Sequence, residues 1–335
     1  MSVAKQWLSA WLESVWYDHR PLARLSLSPL SYVFCYLAQQ RKAKLSLEQQ
    51  QFPVPVLVVG NITGGGTGKT PLVIWLIEHL RAAGYRPGVV SRGFGGKQTA
   101  VHLVQAQDQA FEVGDEPVVI VQRTAVPLVI GRDRPAAIAH LLAKTDCNLV
   151  ISDDGLQHYR MARDLEIVVL DGARRFGNGY CLPAGPLREK PVRLQACDFV
   201  VTNGQAQQGE YTLQILGKNL QSLVGAEQRA LSLFQGQSVH AVTGIGNPAR
   251  FFSHLTSAGL SLLEHVFPDH HAFTAKNLSF QDNLPILMTE KDAVKCRNFP
   301  ADIIKNAWYL PIEAQLDTAF AEHLLQRLKE LTVHG

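Results

Sequence analysis

The sequence has few of the features that mark secreted, zinc-binding or membrane-spanning chains. Its five cysteines are scattered, and no two form a C-x-x-C pair, which argues against a disulfide framework or a zinc site and favours a reducing cytoplasm. No apolar run is long and uninterrupted enough to predict a membrane span, and the first residues lack the pattern of a signal peptide. We therefore expect a folded cytoplasmic protein.

Charged residues are also sparse, at 18% of 335 residues, whereas 46% are hydrophobic. This balance is typical of an ordinary globular core, and the length allows two domains. The net charge of +3 arises entirely in residues 1–50, which hold six basic and three acidic residues and leave 26 of each for the rest. The distribution argues against nucleic-acid binding and favours contact with a local anionic surface.

What the sequence does contain is a glycine-dense stretch between a predicted strand and a predicted helix, at residues 54–84. Glycines let backbone N–H groups turn inward around an anion, and a helix N-terminus adds positive potential. Lys69 would reach terminal phosphates and Thr70 would hold Mg²⁺. The strict G-x-x-x-x-G-K-[ST] pattern has glycine at the first position, so this is a variant phosphate loop or, alternatively, a plain glycine-rich turn. The loop residues are Thr63, Gly64, Gly65, Gly66, Thr67, Gly68, Lys69 and Thr70.

Other predicted strands end in polar turns that would gather at the same edge of a parallel sheet. One is SRGFGG at 91–96, and another is the DDG that ends the apolar run at 148–155. Asp153 and Asp154 offer the hard oxygen ligands that Mg²⁺ prefers, opposite the loop hydroxyl. Successive residues of an extended strand point to opposite sides, so we expect the two carboxylates to divide the work. A turn or helix-cap role for one of them is the alternative.

Several further clusters are chemically suggestive but ambiguous. FEVGDEP at 111–117 predicts a turn that presents Asp115 and Glu116, although acidic turns are often only solvated. The Gly/Pro-rich loop at 171–190 carries arginines suited to phosphate recognition. TEKDAVK at 289–295 fits a capping box in which Thr289 pairs with Asp292. The two histidines of PDHHAF at 268–273 would be structural unless a carboxylate of the first domain faces them.

The N-terminal segment combines an amphipathic helical pattern with aromatic and basic residues. Apolar residues at 3, 4, 7, 8, 11, 12, 15 and 16 line one helical face, which includes Trp7, Trp11 and Trp16. A second, interrupted apolar patch ends in the basic cluster RKAK at 41–44. Such a segment can lie in the headgroup region of a membrane. Alternatively, the helices cap the protein and bury their tryptophans.

The strand and helix patterns predict an α/β fold. We expect a parallel-sheet domain of the P-loop NTPase type with helices on both faces, a second smaller α/β domain, and an N-terminal amphipathic membrane-associated helical segment. The predicted boundaries are 1–45 for the membrane-associated segment, 46–210 for the P-loop core domain, 211–237 for a β linker and 238–335 for the second domain, which would close over the active-site cleft.

Taken together, the motifs resemble one family, the tetraacyldisaccharide 4′-kinases of lipid A biosynthesis. The motifs are GNITGGGTGKTP, SRGFGG, GDEP, DDGLQH, RRFGNGYCLPAGPLRE, DHHAF and TEKDAVK. The resemblance implies transfer of the γ-phosphate of ATP to the 4′-hydroxyl of a lipid-linked disaccharide, with ATP and Mg²⁺ as cofactors. It also implies a peripheral or monotopic position on the cytoplasmic face of the bacterial inner membrane. Neither a nucleic acid nor an obligate protein partner is expected.

The same resemblance assigns roles to particular residues. It implies that Lys69 acts as the phosphate-loop lysine, Thr70 as the magnesium hydroxyl and Asp115 as the general base. A histidine of DHHAF would be the partner of Asp115, and the sequence leaves His270 and His271 undecided. The remaining residues would serve the metal, the nucleotide or the substrate: Asp153, Asp154, Gln157, Arg188 and Glu189.

Two other functions remain open from sequence alone. A P-loop switch or carrier ATPase with a GGxGKT-like loop usually has a lysine where this chain has Gly64, and that difference counts against it. A soluble small-metabolite kinase would not need the aromatic and basic N-terminal segment. Either would still use the phosphate loop.

Overall fold

Two sheets organise the molecule. The computed structural model describes the backbone of residues 3–18 and 20–333 and the side chains of residues 8, 11–18 and 20–331. The strands are β1 (Val56–Gly60), β2 (Pro87–Ser91), β3 (His102–Leu103), β4 (Leu128–Ile130), β5 (Leu149–Asp153), β6 (Leu165–Asp171), β7 (Phe199–Asn203), β8 (Tyr211–Leu216), β9 (Asn219–Ser222), β10 (Gln228–Ala230), β11 (Ser238–Thr243), β12 (Ser261–Val266), β13 (Ile286–Thr289), β14 (Ala307–Leu310) and β15 (Glu313–Leu316).

The helices connect these strands and flank the sheets. They are α1 (Val3–Tyr17), α2 (Pro21–Ser46), α3 (Lys69–Ala82), α4 (Ala110–Val113), α5 (Asp115–Thr124), α6 (Arg134–Lys144), α7 (Pro248–Ser257), α8 (Glu290–Cys296), α9 (Ala301–Ile304) and α10 (Thr318–Val333). The first sheet has the strand order β15-β8-β7-β6-β1-β5-β2-β4-β3, and the second has the order β10-β9-β14-β13-β11-β12.

The first sheet is parallel from β8 to β4 and has an antiparallel strand at each edge. Alternate residues of its central strand face two different apolar clusters: Leu57 and Val59 face one, and Val56 and Val58 face the other. Helices α3, α5 and α10 supply the first cluster, and α6 supplies the second. Strands buried on both faces read as continuous apolar runs, which is the pattern that the sequence showed.

The fold is therefore α/β with a parallel-rich sheet that carries helices on both faces, as predicted. The domain boundaries differ from the predicted ones. Strand β8 pairs with β7 in the first sheet, so residues 211–216 are not part of a linker. Strands β9 and β10 belong to the second sheet, and after β14 the chain returns to the first sheet. There β15 pairs with β8, and Phe320 of α10 is fully buried in the first core.

The N-terminal helices pack against the loop that follows β6. Trp16 Nε1 donates to the carbonyl of Pro183 at 2.8 Å, and Ser31 Oγ donates to the carbonyl of Cys181 at 2.7 Å. Cys35 of α2 forms a disulfide with Cys181, contrary to the expectation from the sequence. The two cysteines are 146 residues apart, so only the packing of α2 against this loop brings them together.

Other side chains of the N-terminal helices remain exposed. Trp11 is 40% exposed, and several apolar residues of α2 are more exposed than that, including Leu22, Leu25, Tyr32 and Tyr36. The side chain of Trp7, for which membrane contact was predicted, is not among the described side chains. None of the helices in the described part of the chain is both long and apolar enough to cross a membrane.

Candidate active site

The glycine-dense loop joins β1 to α3 at the carboxyl edge of the first sheet. Gly65 and Gly68 both have φ of 104°, a conformation that L side chains rarely adopt, so glycine is required at both positions. The N–H of Gly64 donates to the carbonyl of Pro186 at 2.9 Å, and Thr63 forms a β-bridge with Leu187. The loop is thereby tied on one side to the segment that carries Arg188.

The other predicted loop residues complete the turn into the helix. No atom lies within 4 Å of a Cβ built on Gly66, so the tip of the loop is open. Thr67 is buried, and its carbonyl accepts from Asn203 Nδ2 at 3.1 Å. Lys69 and Thr70 are the first two residues of α3, and Thr70 is buried. The helix N-terminus therefore points its free N–H groups at the same region as the Lys69 side chain.

Two carboxylates follow at the end of the neighbouring strand. Asp153 is the last residue of β5, and Asp154 has a left-handed φ of 48°, so the expected alternation of an extended strand is interrupted there. Asp154 Oδ1 lies 3.4 Å from Lys69 Nζ and 3.3 Å from Arg188 Nη1, and these cations lower the pKa of Asp154 despite its burial. Asp153 and Asp154 are close enough to interact electrostatically, so both carboxylates lie at the site that contains Lys69.

Asp153 has a different environment. Its Oδ2 accepts from Ser91 Oγ at 3.2 Å, whereas its Oδ1 is buried and makes no hydrogen bond. Burial, with the nearby negative charges of Glu116 and Asp154, raises the pKa of Asp153 to about 7. A buried carboxylate oxygen without a partner is costly unless something cationic is bound there.

The segment after the long loop adds a polar network. Gln157 Nε2 donates to Glu189 Oε1 at 2.9 Å and to the carbonyl of Asn61 at 3.1 Å. Arg193 lies 3.5 Å from Glu189. Arg188, Gln157 and Glu189 therefore lie together beside Asp154.

Asp115 and Glu116 do not lie in a free turn as predicted, because they begin helix α5. Gly114, with φ of 97°, precedes the helix and lets the chain enter it. Asp115 is 4% exposed, and its Oδ1 accepts from the N–H of Glu116 at 2.8 Å. A short helix of ten residues thus fixes the carboxylate at its N-terminus.

A histidine of the second domain, the part of the chain built around the second sheet, contacts Asp115. His270 Nδ1 lies 2.9 Å from Asp115 Oδ2 and 3.1 Å from Oδ1. His270 has a left-handed φ of 56°, which turns its imidazole toward the first domain. Burial would raise the pKa of Asp115, but the hydrogen bond to His270 and the charges of Lys291, His270 and Lys295 lower it to about 2. Hydrogen bonding to Asp115 raises the pKa of His270.

His271 occupies a different environment from its neighbour. Its ring stacks on Phe267 at a centroid distance of 4.7 Å and meets Phe273 edge-on at 4.9 Å. Burial lowers the pKa of His271. The geometry therefore pairs Asp115 with His270, and His271 packs within the second domain.

Several residues at the site were not singled out by sequence reasoning. The buried Arg134 donates from Nη2 to the carbonyl of Asp153 at 2.9 Å, and Ser91 contacts its carboxylate. Lys291 forms an ion pair with Glu116, and Lys295 Nζ lies 3.6 Å from Asp115 Oδ2. Helix-cap signals were visible around these lysines, but nothing in the spacing indicated which helix they would face.

No group of three or more His, Cys, Asp or Glu side chains is arranged to hold a metal within residues 3–18 and 20–333. This does not conflict with a magnesium site, because Mg²⁺ is often bound by one or two carboxylates together with substrate phosphates. The parallel sheet, with a lysine, a threonine and two aspartates at its carboxyl edge and a carboxylate–histidine pair across a cleft, defines the class of α/β kinases.

Comparison with known proteins narrows this class to one family. The family described as tetraacyldisaccharide-1-P 4′-kinase matches residues 23–329. The chain therefore belongs to the tetraacyldisaccharide 4′-kinase family. A tetraacyldisaccharide 4′-kinase of Methylobacillus flagellatus is 49% identical over 97% of this chain and 98% of its own length, and one of Shewanella denitrificans is 48% identical with the same coverage.

Among solved structures, the crystal structure of LpxK from Aquifex aeolicus in complex with ATP is similar in fold. The TM-score is 0.77 at 25% sequence identity, and the match covers 91% of this chain and 99% of that chain. The likeness in fold thus extends over most of both chains.

Proposed function

We propose that this enzyme transfers the γ-phosphate of ATP to the 4′-hydroxyl of tetraacyldisaccharide 1-phosphate, forming lipid IVA in lipid A biosynthesis. The observation that carries the proposal is the Asp115–His270 pair, which joins the two domains beside the Lys69 cluster. A carboxylate placed opposite a phosphate-binding loop is the arrangement that a kinase needs to accept a proton from a hydroxyl. Family membership supplies the identity of that hydroxyl.

In the proposed reaction, the oxygen of the 4′-hydroxyl attacks the γ-phosphorus of ATP, and Asp115 accepts the proton of that hydroxyl. The bond from that phosphorus to the bridging oxygen of ATP breaks, and ADP leaves with the electron pair. His270 holds the carboxylate in orientation through its Nδ1. Phosphoryl transfer depends mostly on positioning and charge stabilisation, so a carboxylate of low pKa is sufficient when it is held in place.

The glycine-dense loop would bind the nucleotide. Backbone N–H groups from Gly65 to Gly68 and the N-terminus of α3 would surround the phosphates, and Lys69 would neutralise their terminal charge. Arg188 lies beside Lys69, on the same carboxylate of Asp154. With ATP bound, both cations would shift part of their interaction to the phosphates.

Magnesium fits the donors that are present. Thr70, Asp153 and Asp154 supply hard oxygen atoms, and the unpartnered buried Oδ1 of Asp153 marks where negative charge is uncompensated. When bound, Mg²⁺ would neutralise charge on the β- and γ-phosphates. Burial and the nearby carboxylates of Glu116 and Asp154 raise the pKa of Asp153, so a bound cation would favour its charged form.

The N-terminal helices would bring the enzyme to its lipid substrate. Exposed apolar side chains on α1 and α2, with the exposed basic residues Arg41 and Lys44 at the end of α2, are suited to the headgroup region of an anionic bilayer. We infer a peripheral or monotopic position on the cytoplasmic face of the bacterial inner membrane. No obligate protein partner is required by this arrangement.

The direct test uses purified full-length protein, labelled ATP with Mg²⁺, and a tetraacylated disaccharide 1-phosphate in mixed micelles. A soluble glucosamine disaccharide serves as the control acceptor. We expect label in the lipid product and little transfer to the soluble sugar. Efficient phosphorylation of the soluble sugar, or ATP hydrolysis without transfer, would overturn the proposal in favour of a small-metabolite kinase or an ATPase.

A further inference from the structure

Helix α8 of the second domain faces the carboxylates of α5 with two lysines. Lys291 and Lys295 are four residues apart, so they project from the same face of this helix. Lys291 forms an ion pair with Glu116, and Lys295 Nζ lies 3.6 Å from Asp115 Oδ2. Two adjacent carboxylates of one domain are therefore matched by two cations of the other.

Lys295 is held in place from both sides. Its side chain is 9% exposed, and its Nζ lies 2.8 Å from Oδ1 of the fully buried Asp292. It also lies over the ring of Phe273 at 5.2 Å, within the loop that carries His270. A buried ammonium group is costly unless it is paired, so its position between two carboxylates is a specific arrangement.

Asp292 anchors this arrangement to the loop that presents His270. Its Oδ2 accepts from Thr289 Oγ1 at 2.7 Å and from the N–H of Gly244 at 3.0 Å. The carbonyl of Gly244 in turn accepts from the N–H of His270 at 3.2 Å. The capping residues of α8 thus connect Lys295 and His270 through a single network, and both reach the same carboxylate.

We propose that Lys295 and Lys291 are positioning residues for phosphoryl transfer, which fix and neutralise Asp115 and Glu116 when the second domain docks on α5. The inference rests on the proposed function and gives a role to the TEKDAVK segment. Glu116 lies close enough to Lys69 and Asp153 to interact with both electrostatically. Lys291 therefore removes a negative charge that would otherwise oppose the triphosphate.

The test compares Lys295→Met and Lys291→Met with matched variants of the same interface. Lys295→Arg keeps the charge. Glu290→Gln removes the Arg123–Glu290 ion pair, 3.2 Å long, which also joins α5 to α8 but contacts neither Asp115 nor Glu116. Steady-state kinetics give kcat and the KM for each substrate, and circular dichroism and thermal melting report folding.

We expect Lys295→Met to lower kcat by about 30-fold or more, a loss in the range of displaced catalytic groups, with the KM for ATP within about threefold of wild type. Lys291→Met should lower kcat less and raise the KM for ATP, because Glu116 is nearer the phosphates. Lys295→Arg should recover much of the loss, and Glu290→Gln should stay within about threefold. Equal losses in Glu290→Gln and Lys295→Met would reduce the lysines to ordinary docking contacts and overturn the proposal.

A second readout does not depend on the identity of the acceptor. The His270 imidazole faces Asp115 at 2.9 Å and Asp269 at 3.7 Å, with Glu116 and the two lysines beyond them. Removing the Lys295 cation should raise the pKa of His270 further, as followed by NMR, and Lys295→Arg should not. An unchanged His270 titration in folded Lys295→Met would reject the proposal even if the transfer assay fails for another reason.

Discussion

The two walls of the site, one formed by the first domain and one by the second, balance their charges in different ways. The first domain contributes four carboxylates, those of Asp115, Glu116, Asp153 and Asp154, whereas the second domain faces Asp115 and Glu116 with His270, Lys291 and Lys295. Of these four, Asp115, Glu116 and Asp154 have a close cation and a lowered pKa. Asp153 forms no ion pair with the described residues, and its pKa is raised.

The carboxylates of the site therefore fall into two groups, according to how their charge is balanced. The carboxylates that meet the second domain are fixed by protein cations, so their charge is balanced before substrate arrives. Asp153 is buried at the end of β5, and its Oδ1 has no hydrogen-bond partner among the described residues. In the proposed reaction, the second domain would therefore preorganise the acceptor side of the site, and bound ligands would complete the phosphate side.

The largest loss of activity is expected when either aspartate of the proposed magnesium site is neutralised. Asp153→Asn and Asp154→Asn should each lower Mg²⁺-dependent turnover by about 10³-fold, since lost charge stabilisation by a metal is worth several kcal/mol and about 4 kcal/mol corresponds to that factor. Turnover as a function of Mg²⁺ concentration is the measurement, with circular dichroism to verify folding. Near-normal turnover in both variants would mean that neither aspartate serves the metal.

The acceptor side is tested by the Asp115–His270 pair. Asp115→Ala should lower turnover by about 10²- to 10³-fold, within the usual range for a general base, and His270→Ala should lower it by a similar factor. Because the two residues act as one unit, the double variant should be little worse than the poorer single variant. ATP binding, measured by calorimetry, should persist in all three because the loop is unchanged.

His271→Ala is the matched control for that cycle. Its ring packs on Phe267 and Phe273, so the substitution should cost stability more than turnover. If the losses of Asp115→Ala and His270→Ala combine additively in the double variant, Asp115 works without a histidine partner.

The strand-end part of the first wall was largely predictable from sequence, whereas the helical position of Asp115 and Glu116 was not. GKT and DDG stand at the carboxyl ends of apolar strands, and parallel strands bring such ends together. The choice between His270 and His271 was not predictable, since it depends on a left-handed φ at one residue of a loop. The lysines of α8 were also missed, because a helix-cap pattern is local and does not indicate the neighbouring domain.

The return of the chain to the first sheet illustrates the same limit. Strand β15 has four residues and α10 is amphipathic, and by pattern alone β15 could pair in either sheet and α10 could pack on either. The pairing of β15 with β8 and the burial of Phe320 show that both elements belong to the first domain. The disulfide between Cys35 and Cys181 similarly follows from packing of distant segments, which spacing does not encode.

A smaller effect is expected at the membrane. Replacing the exposed Arg41 and Lys44 by Gln should weaken binding to anionic vesicles by about 2 kcal/mol, at about 1 kcal/mol per basic residue near the surface. Cosedimentation at low and high salt is the measurement, and wild-type binding should fall with salt. Leu22→Ser with Leu25→Ser should reduce binding at either salt concentration. Binding that survives both changes and high salt would favour helices that only cap the protein.

The smallest effect is the contribution of the Asp115 pairing to stability. A carboxylate whose pKa falls from 3.8 to about 2 on folding stabilises the folded state by about 2 kcal/mol above pH 4, and this is lost as the pH falls toward 2. The raised pKa of His270 acts in the opposite sense, because its contribution is present below pH 6.5 and is lost as the pH rises through the folded value. The pairing is therefore strongest between about pH 4 and 6.5.

Denaturant unfolding of wild type and Asp115→Asn should show that the stability advantage of the wild type shrinks by about 1 kcal/mol between pH 5 and pH 3. A pH-independent difference would show that the charge of Asp115 is not stabilised by the second domain, and that the two walls are not electrostatically coupled.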